Sequence, residues 1–106
     1  MVGDIYLAKI YFTDLLAYKI RPVVIIKELD DDCVCLQLTT QAKENALIIT
    51  QQNLLKGSLK KASFVIVQKN FTLHRSILFK YLATIKPDCV LDITHRLCLA
   101  MGCEGS

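Results

Sequence analysis

With 106 residues, of which 53% are hydrophobic, the chain is long enough for one hydrophobic core and too short for two, so we expect a single domain over residues 1–106. The formal net charge of +3 permits an anionic partner but does not require one. No uncharged segment reaches the length of a membrane span and no basic leader precedes Asp4, which excludes a membrane protein and favours a cytoplasmic one.

The hydrophobic content is high for so small a protein, because a small interior cannot hide that much apolar surface. A self-complementary apolar interface is the expected solution, and we predict a homodimer. The five cysteines are an odd number, form no C-x-x-C pair and have no histidine at ligand spacing. The sequence therefore predicts reduced thiols, with no metal site and no cofactor.

Short strands dominate the first two thirds of the chain. Runs rich in Val, Ile, Tyr and Leu between turn residues predict strands over residues 5–12, 22–29, 33–38, 46–50 and 63–69. The connections are predicted as a loop over residues 13–19, an acidic turn over residues 30–32 and a helical turn over residues 53–57. Many short strands with short connections favour a small β-barrel.

The hydrophobic period changes near Pro87, where an amphipathic helix is predicted to begin. Gly102 suits its end. One face carries Val90, Thr94, Leu97 and Met101, and the other carries Asp88, Asp92, His95 and Arg96. The expected fold class is mainly β with α, a small barrel with a C-terminal amphipathic helix.

Two segments carry residue types that suit a phosphate. In K-I-R-P-V-V-I-I, residues 19–26, Pro22 holds Arg21 at the mouth of a strand, and the planar guanidinium can donate to two phosphate oxygens at once. In L-T-T-Q, residues 38–41, two hydroxyls and an amide end the next strand. We interpret these segments as a cradle for one phosphate. The simpler alternatives are a solvated arginine and strand-end hydroxyls that satisfy backbone groups.

The chain also resembles a known family along nearly its whole length. The matching runs, in order, are G-D-I-Y-L (3–7), F-T-D (12–14), R-P-V-V-I-I (21–26), L-T-T-Q-A-K (38–43) and K-A-S-F-V-I-V-Q-K-N-F-T-L (61–73). Together they resemble the MazF/PemK family of toxin endoribonucleases. The resemblance implies an SH3-like barrel, a homodimer, and metal-independent cleavage of single-stranded RNA at a short sequence. It also implies a cognate antitoxin that lies across the RNA-binding groove.

The family's catalytic pair, carried over residue by residue, falls on Arg21 and Thr39. Cleavage without a metal uses the ribose 2′-OH as nucleophile, so the protein must stabilise negative charge on the phosphorane. Arg21 would contact two oxygens and Thr39 would donate one more hydrogen bond. The expected RNA-binding residues are Thr40, Gln41, Lys43, Gln68 and Lys69.

The family's proton-transfer residues are replaced in this chain. PemK-type members have an arginine and an aspartate in the strand that matches residues 65–69 and a histidine in the first loop, where MazF-type members often have a glutamate. The residues at the matched positions here are Ile66, Gln68, Leu15 and Leu16. Solvent, Asp14 and Lys69 are left as candidates for general base and acid.

Several other residues have both an ordinary and a functional interpretation. His74 and His95 fall at no matched catalytic position and are expected to be surface histidines. Four basic residues could line an RNA path, although such residues are more often ordinary solvent-exposed charges. They are Lys60, Lys61, Lys69 and Arg75. Four aromatic residues near the first loop could stack on RNA bases, although aromatic side chains more often lie in a core or a dimer interface. They are Tyr6, Tyr11, Phe12 and Tyr18.

Two functions other than RNA cleavage are compatible with the same fold. The relative CcdB poisons DNA gyrase by binding it, and a non-catalytic inhibitor of that kind would use the C-terminal residues. A degenerate member that binds only an antitoxin or RNA would also lack the acid and base. A nuclease, in contrast, needs Arg21 and Thr39.

Overall fold

One antiparallel sheet and a C-terminal helix form the fold in a computed structural model, which describes residues 1–11, 17–44, 46–100 and 102. The strands are β1 (Asp4–Tyr11), β2 (Tyr18–Leu29), β3 (Asp32–Thr39), β4 (Leu47–Ile49), β5 (Leu54–Gly57), β6 (Ser63–His74) and β7 (Leu78–Ile85), and helix α1 spans Pro87–Ala100. The strand order is β4-β6-β3-β2-β1-β7-β5, and the sheet curls into a half-barrel. The predicted class, mainly β with a C-terminal helix, is confirmed.

Both faces of the curled sheet bury apolar side chains. Val24 lies in a cluster that includes Ile93 of α1, whereas Val23 and Ile25 lie in a second cluster on the other face. Because β2 supplies both clusters, three successive residues of this strand are buried, as expected for a strand covered on both faces. Burial contributes about 1.5–3 kcal/mol for each such side chain. The buried run therefore fixes the position of Arg21, which precedes it on the same strand.

Strand β2 begins at Tyr18 rather than at Pro22, so the proline lies inside the strand. At Pro22 the strand pairs with β1 through Leu7, while its pairing with β3 begins only at Val23 and Gln37. Proline has no N–H to donate, and it is tolerated where a strand has no partner on one side. The position of Pro22 therefore marks the point at which β2 and β3 have separated.

The prediction of a helical turn over residues 53–57 was wrong. A 3₁₀ turn over Gln51–Asn53 leads directly into β5, which pairs with β7. Gly57 has a φ of +78° and packs so closely on β7 that a Cβ atom would collide with the Leu82 carbonyl oxygen. The local sequence gives no sign of this pairing, because β7 is remote in sequence and was not predicted as a strand.

Strand β6 continues to His74, beyond the predicted end at residue 69, and contains a bulge. Opposite β3, Leu36 pairs with Asn70 and the next residue, Gln37, pairs with Ile66, so residues 67–69 of β6 have no partner in β3. A bulge bends its strand and redirects side chains. Two of the expected RNA-binding residues, Gln68 and Lys69, lie in this bulge.

Helix α1 begins at Pro87 as predicted, but its buried face differs from the prediction. The buried or half-buried side chains are Cys89, Val90, Ile93, Leu97 and Cys98. Thr94 is exposed instead, and its hydroxyl donates a hydrogen bond to the Val90 carbonyl at 2.9 Å. Gly102 has the expected positive φ, +77°, at the helix end. In the described part of the chain, no helix is both long and apolar enough to cross a membrane.

Candidate functional site

The two predicted phosphate-binding segments meet where β2 and β3 separate. Pairing between these strands ends at Val23 and Gln37. Beyond that point β2 remains paired with β1, through Arg21, and β3 remains paired with β6, through Thr39. The two strands therefore diverge, and a gap opens between their ends.

A pocket of about 500 Å³ lies in this gap, and we call it the cradle. Six of the seven predicted site residues line it: Arg21, Thr39, Thr40, Gln41, Lys43 and Lys69. The remaining one, Gln68, lines a neighbouring groove. The structure thus brings the R-P and T-T-Q segments together around a space large enough for a phosphate and part of a nucleotide.

Arg21 is half-buried at the edge of the cradle. Its Nη1 atom donates a hydrogen bond to the Ile20 carbonyl oxygen at 3.1 Å. In the ranges that the structure describes, no carboxylate forms an ion pair with this guanidinium. A guanidinium carries several further N–H donors in one plane. The local bond therefore holds Arg21 in place and leaves donors for a ligand.

Thr39 has a partly structural role. Its Oγ1 atom accepts a hydrogen bond from the backbone N–H of Gln41 at 3.2 Å. This is the backbone-satisfying contact that the sequence allowed as an alternative. Because a hydroxyl can accept and donate at the same time, the same contact orients Thr39 and leaves its hydrogen for a ligand.

The cradle has a strongly one-sided charge. Lys19, Arg21, Lys43 and Lys69 all line it, and among the described lining residues there is no carboxylate. A cleft lined by charges of one sign attracts and concentrates ligands of the opposite sign. The cradle therefore suits an anion, and the planar fork of Arg21 suits a phosphate in particular.

A second groove, of about 660 Å³, lies between β6 and α1, and we call it the helix groove. It shares Lys43 and Ile66 with the cradle and contains Gln68. Gln68 and Lys69, which are adjacent in the bulge of β6, therefore line different pockets, Lys69 the cradle and Gln68 the helix groove.

Three residues of α1, His95, Arg96 and Leu99, also line the helix groove. His95 is exposed, as predicted, yet it lies beside the candidate site. Its place on the polar face of α1 is a weak signal in the sequence, which does not show which strand that face contacts. His74 lines neither the cradle nor the helix groove, and its Nδ1 atom lies 2.8 Å from the Ser76 hydroxyl.

The predicted aromatic cluster is divided between two environments. Tyr6 is half-buried and packs edge-on against Tyr81, with ring centroids 5.7 Å apart. Tyr11 and Tyr18 are exposed, and their centroids are 5.4 Å apart. Lys9 lies over the Tyr18 ring, with Nζ 5.3 Å from its centroid. Neither Tyr11 nor Tyr18 lines the cradle, although the strand that carries Tyr18 continues into it.

Some predicted features fall outside the described residues. These are Phe12, Asp14, Leu15, Leu16, Met101 and Cys103. Of the candidates for proton transfer, Lys69 lines the cradle. Within the described ranges, no group of three His, Cys, Asp or Glu side chains is arranged to hold a metal ion. Burial raises the pKa of the Cys35 thiol to about 12, so this cysteine stays protonated and unreactive.

The chain is similar to known toxins in sequence and to endoribonucleases in fold. Residues 1–101 match the family described as PemK-like, MazF-like toxin of type II toxin-antitoxin system. An endoribonuclease from Mycobacterial species has 21% identity and a TM-score of 0.71, over 100% of this chain and 94% of that one. An endoribonuclease in complex with its cognate antitoxin, also from Mycobacterial species, has 21% identity and a TM-score of 0.70, over 96% and 94% of the two chains.

A MazE-MazF structure from Deinococcus radiodurans has 17% identity and a TM-score of 0.71, over 95% of this chain and 94% of that one. At such identities the structural likeness shows the fold, a curled antiparallel half-barrel with a C-terminal helix like that of MazF. No curated protein sequence matches the chain significantly.

Proposed function

The chain belongs to the family of PemK-like, MazF-like toxins of type II toxin-antitoxin systems, and we propose that it acts there as an endoribonuclease that cleaves single-stranded RNA without a metal ion. The observation that carries this proposal is the meeting of Arg21 and Thr39 in one cationic pocket. Two solved structures of the same fold, in addition, are those of endoribonucleases.

The proposed reaction is attack of a ribose 2′-OH on the adjacent phosphate. A bond forms between O2′ and phosphorus, the bond from phosphorus to O5′ breaks, and the products are a 2′,3′-cyclic phosphate and a 5′-hydroxyl. Arg21 and Thr39 act on the charge that builds up on the phosphorane oxygens, Arg21 with two N–H donors and Thr39 with one O–H. Their donors are already oriented by contacts to Ile20 and Gln41, so little reorganisation is needed during the reaction.

The reaction also moves two protons, one from O2′ and one to O5′. The candidates are solvent, Asp14 and Lys69, and Lys69 is the one that lines the cradle. We assign the remaining cradle residues, Thr40, Gln41 and Lys43, to RNA binding, and Gln68 to the adjoining nucleotides through the helix groove.

The proposal extends to partners and location. We propose a homodimer that binds a cognate antitoxin and acts on RNA in the cytoplasm, as one toxin domain over residues 1–106. The solved endoribonuclease in complex with its cognate antitoxin supports the antitoxin as a partner. Large exposed apolar side chains support an interface, and on α1 they are Leu91 and Leu99.

The direct test uses purified, antitoxin-free protein, excess chelator and a long RNA that contains structured and unstructured regions. We expect cleavage in the unstructured regions and 2′,3′-cyclic phosphate ends, because the nucleophile belongs to the RNA. An activity that stops with chelator and returns with magnesium would contradict the mechanism. Growth arrest without RNA cleavage would favour the non-catalytic inhibitor.

A further inference from the structure

A third groove continues from the cradle on the side away from the helix groove. It has a volume of about 600 Å³ and shares Pro22 and Thr40 with the cradle. Lys60, Lys61 and Lys80 line it, so we call it the lysine groove. Among the described residues, it has none in common with the helix groove.

The fold assembles the lysine groove from distant parts of the chain. Lys60 and Lys61 belong to the connection between β5 and β6, and Lys80 belongs to β7. They come together because β7 pairs with β5 on one side and with β1 on the other. The close packing of Gly57 on β7 draws the start of that connection against the sheet.

The groove combines an apolar floor with a cationic rim. The floor consists of half-buried apolar side chains: Leu7, Pro22, Leu59 and Leu82. The three lysines are exposed. None of them forms an ion pair with a carboxylate in the described part of the chain, and no described lining residue is acidic. The rim therefore offers unneutralised positive charge.

We infer that the lysine groove binds the nucleotides of a single-stranded RNA that lie on one side of the phosphate held in the cradle. This inference rests on the proposed function. A phosphate inside a polynucleotide has neighbours in two directions, so a cleavage site needs a path on each side. The helix groove with Gln68 provides one path, and the lysine groove provides the other.

The chemistry of the groove matches a nucleotide chain. Lysines at the rim neutralise successive phosphates as mobile point charges, and the apolar floor packs against bases and riboses. An acidic peptide would match the charge equally well. Continuity with a cradle that presents an arginine fork and hydroxyl donors favours a phosphate chain.

The test measures binding separately from cleavage. Fluorescence anisotropy with a mixed-sequence 2′-O-methyl RNA, which lacks the nucleophile, gives the dissociation constant over a range of salt concentrations. Lys60→Ala/Lys80→Ala removes one lysine from each side of the groove, and Lys27→Ala/Lys86→Ala changes the charge equally at exposed positions that line none of the three grooves.

A plot of the logarithm of the association constant against the logarithm of the salt concentration has a negative slope. In the groove variant, the magnitude of this slope should decrease by about 1.4, since each lost phosphate contact on a single strand removes about 0.7. If the variant and the wild type bind RNA equally at 1 M salt, this difference in slope corresponds to a loss of affinity of roughly 25-fold at 0.1 M salt. The control variant should keep the wild-type slope. Lys60→Arg/Lys80→Arg should keep it as well, because counterion release depends on charge.

Cleavage of a long RNA distinguishes this inference from the proposed function. In the groove variant, KM should rise while kcat stays near the wild-type value. A groove variant whose salt slope and KM equal those of the control would overturn the inference while the wild type still cleaves RNA. Weaker binding to a poly-glutamate peptide with unchanged binding to RNA would also overturn it, in favour of a protein partner. If the wild type shows the expected difference in salt slope from the groove variant but never cleaves RNA, the proposed function is contradicted, while RNA binding in the lysine groove is supported.

Discussion

Arg21 and Thr39 differ in how much of their hydrogen-bonding capacity the fold already uses. The Thr39 hydroxyl accepts a hydrogen bond from the Gln41 N–H and keeps its own hydrogen to donate. Arg21 donates one hydrogen bond to the Ile20 carbonyl oxygen and keeps its remaining N–H donors. Hydrogen bonds to a charged donor are also roughly twice as strong as neutral ones. Arg21 should therefore contribute more than Thr39 to stabilising a phosphorane.

Substitutions at these two residues should lower activity in that order. Arg21→Ala should reduce kcat/KM for a defined RNA by about 10²- to 10³-fold, as for loss of a transition-state donor. Arg21→Lys should give an intermediate loss, because it keeps the charge without the planar fork. Thr39→Val should cost about fivefold, since a neutral hydrogen bond contributes roughly 1 kcal/mol.

The control for Arg21→Ala is Lys27→Ala, which makes the same change in charge on the same strand at an exposed position outside the cradle. It should retain wild-type activity. Circular dichroism should show the wild-type fold for every variant. If Arg21→Ala stays fully active and fully toxic on induction, the cradle is not the catalytic site.

At the scale of elements, two irregularities of the sheet create the site. The separation of β2 from β3 opens the cradle, and the bulge at residues 67–69 distributes Gln68 and Lys69 between two grooves. The sequence predicted the consequence of the first, that Arg21 and Thr39 lie together at the ends of neighbouring strands, but not the separation itself. It could not predict the bulge, since the register of β6 depends on its pairing with β3 rather than on its own residues.

Element-level packing can be tested at Gly57, whose positive φ and contact with β7 hold β5 in the sheet. Gly57→Ala should lower the free energy of unfolding by about 2 kcal/mol or more, because a left-handed alanine costs roughly 1–2 kcal/mol before any collision is counted. Urea unfolding measures this loss. Gly102→Ala is the matched control: its φ is almost the same, +77°, but a Cβ there meets no described residue within 4 Å. The Gly57 variant should lose clearly more stability than the Gly102 variant, and equal losses would show that the contact with β7 contributes nothing.

At the scale of the whole molecule, the three grooves form a continuous row with the cradle in the middle. The sequence predicted the cradle in the middle, because its residues lie in two compact motifs. It did not place His95 or Lys80 in the row, because they reach it only through α1 and β7. Lys60 and Lys61 were recognised as possible contacts, but nothing local connected them with Arg21. The ends of the row are a property of the topology, which no single segment of the sequence encodes.

Assembly is the remaining property of the whole molecule that the exposed surface allows us to predict. The high hydrophobic fraction, 53%, predicts a dimer, and we expect it to form through the first-strand region and the C-terminal helix. Both regions expose large apolar side chains, with Tyr11 62% exposed on β1 and Leu91 70% exposed on α1. A symmetric dimer would bury such groups twice over in one interface.

We therefore expect the purified protein to sediment as a dimer at micromolar concentration. Leu91→Arg should weaken the dimer by at least about tenfold, because it places a charge in an apolar contact and removes roughly 1.4 kcal/mol or more of association free energy. Leu55→Arg is the matched control, since Leu55 is 59% exposed on β5, away from both predicted regions. Sedimentation velocity over a range of concentrations measures the three proteins. A wild type that remains monomeric throughout would refute the dimer, and equal weakening by both substitutions would show that α1 is not part of its interface.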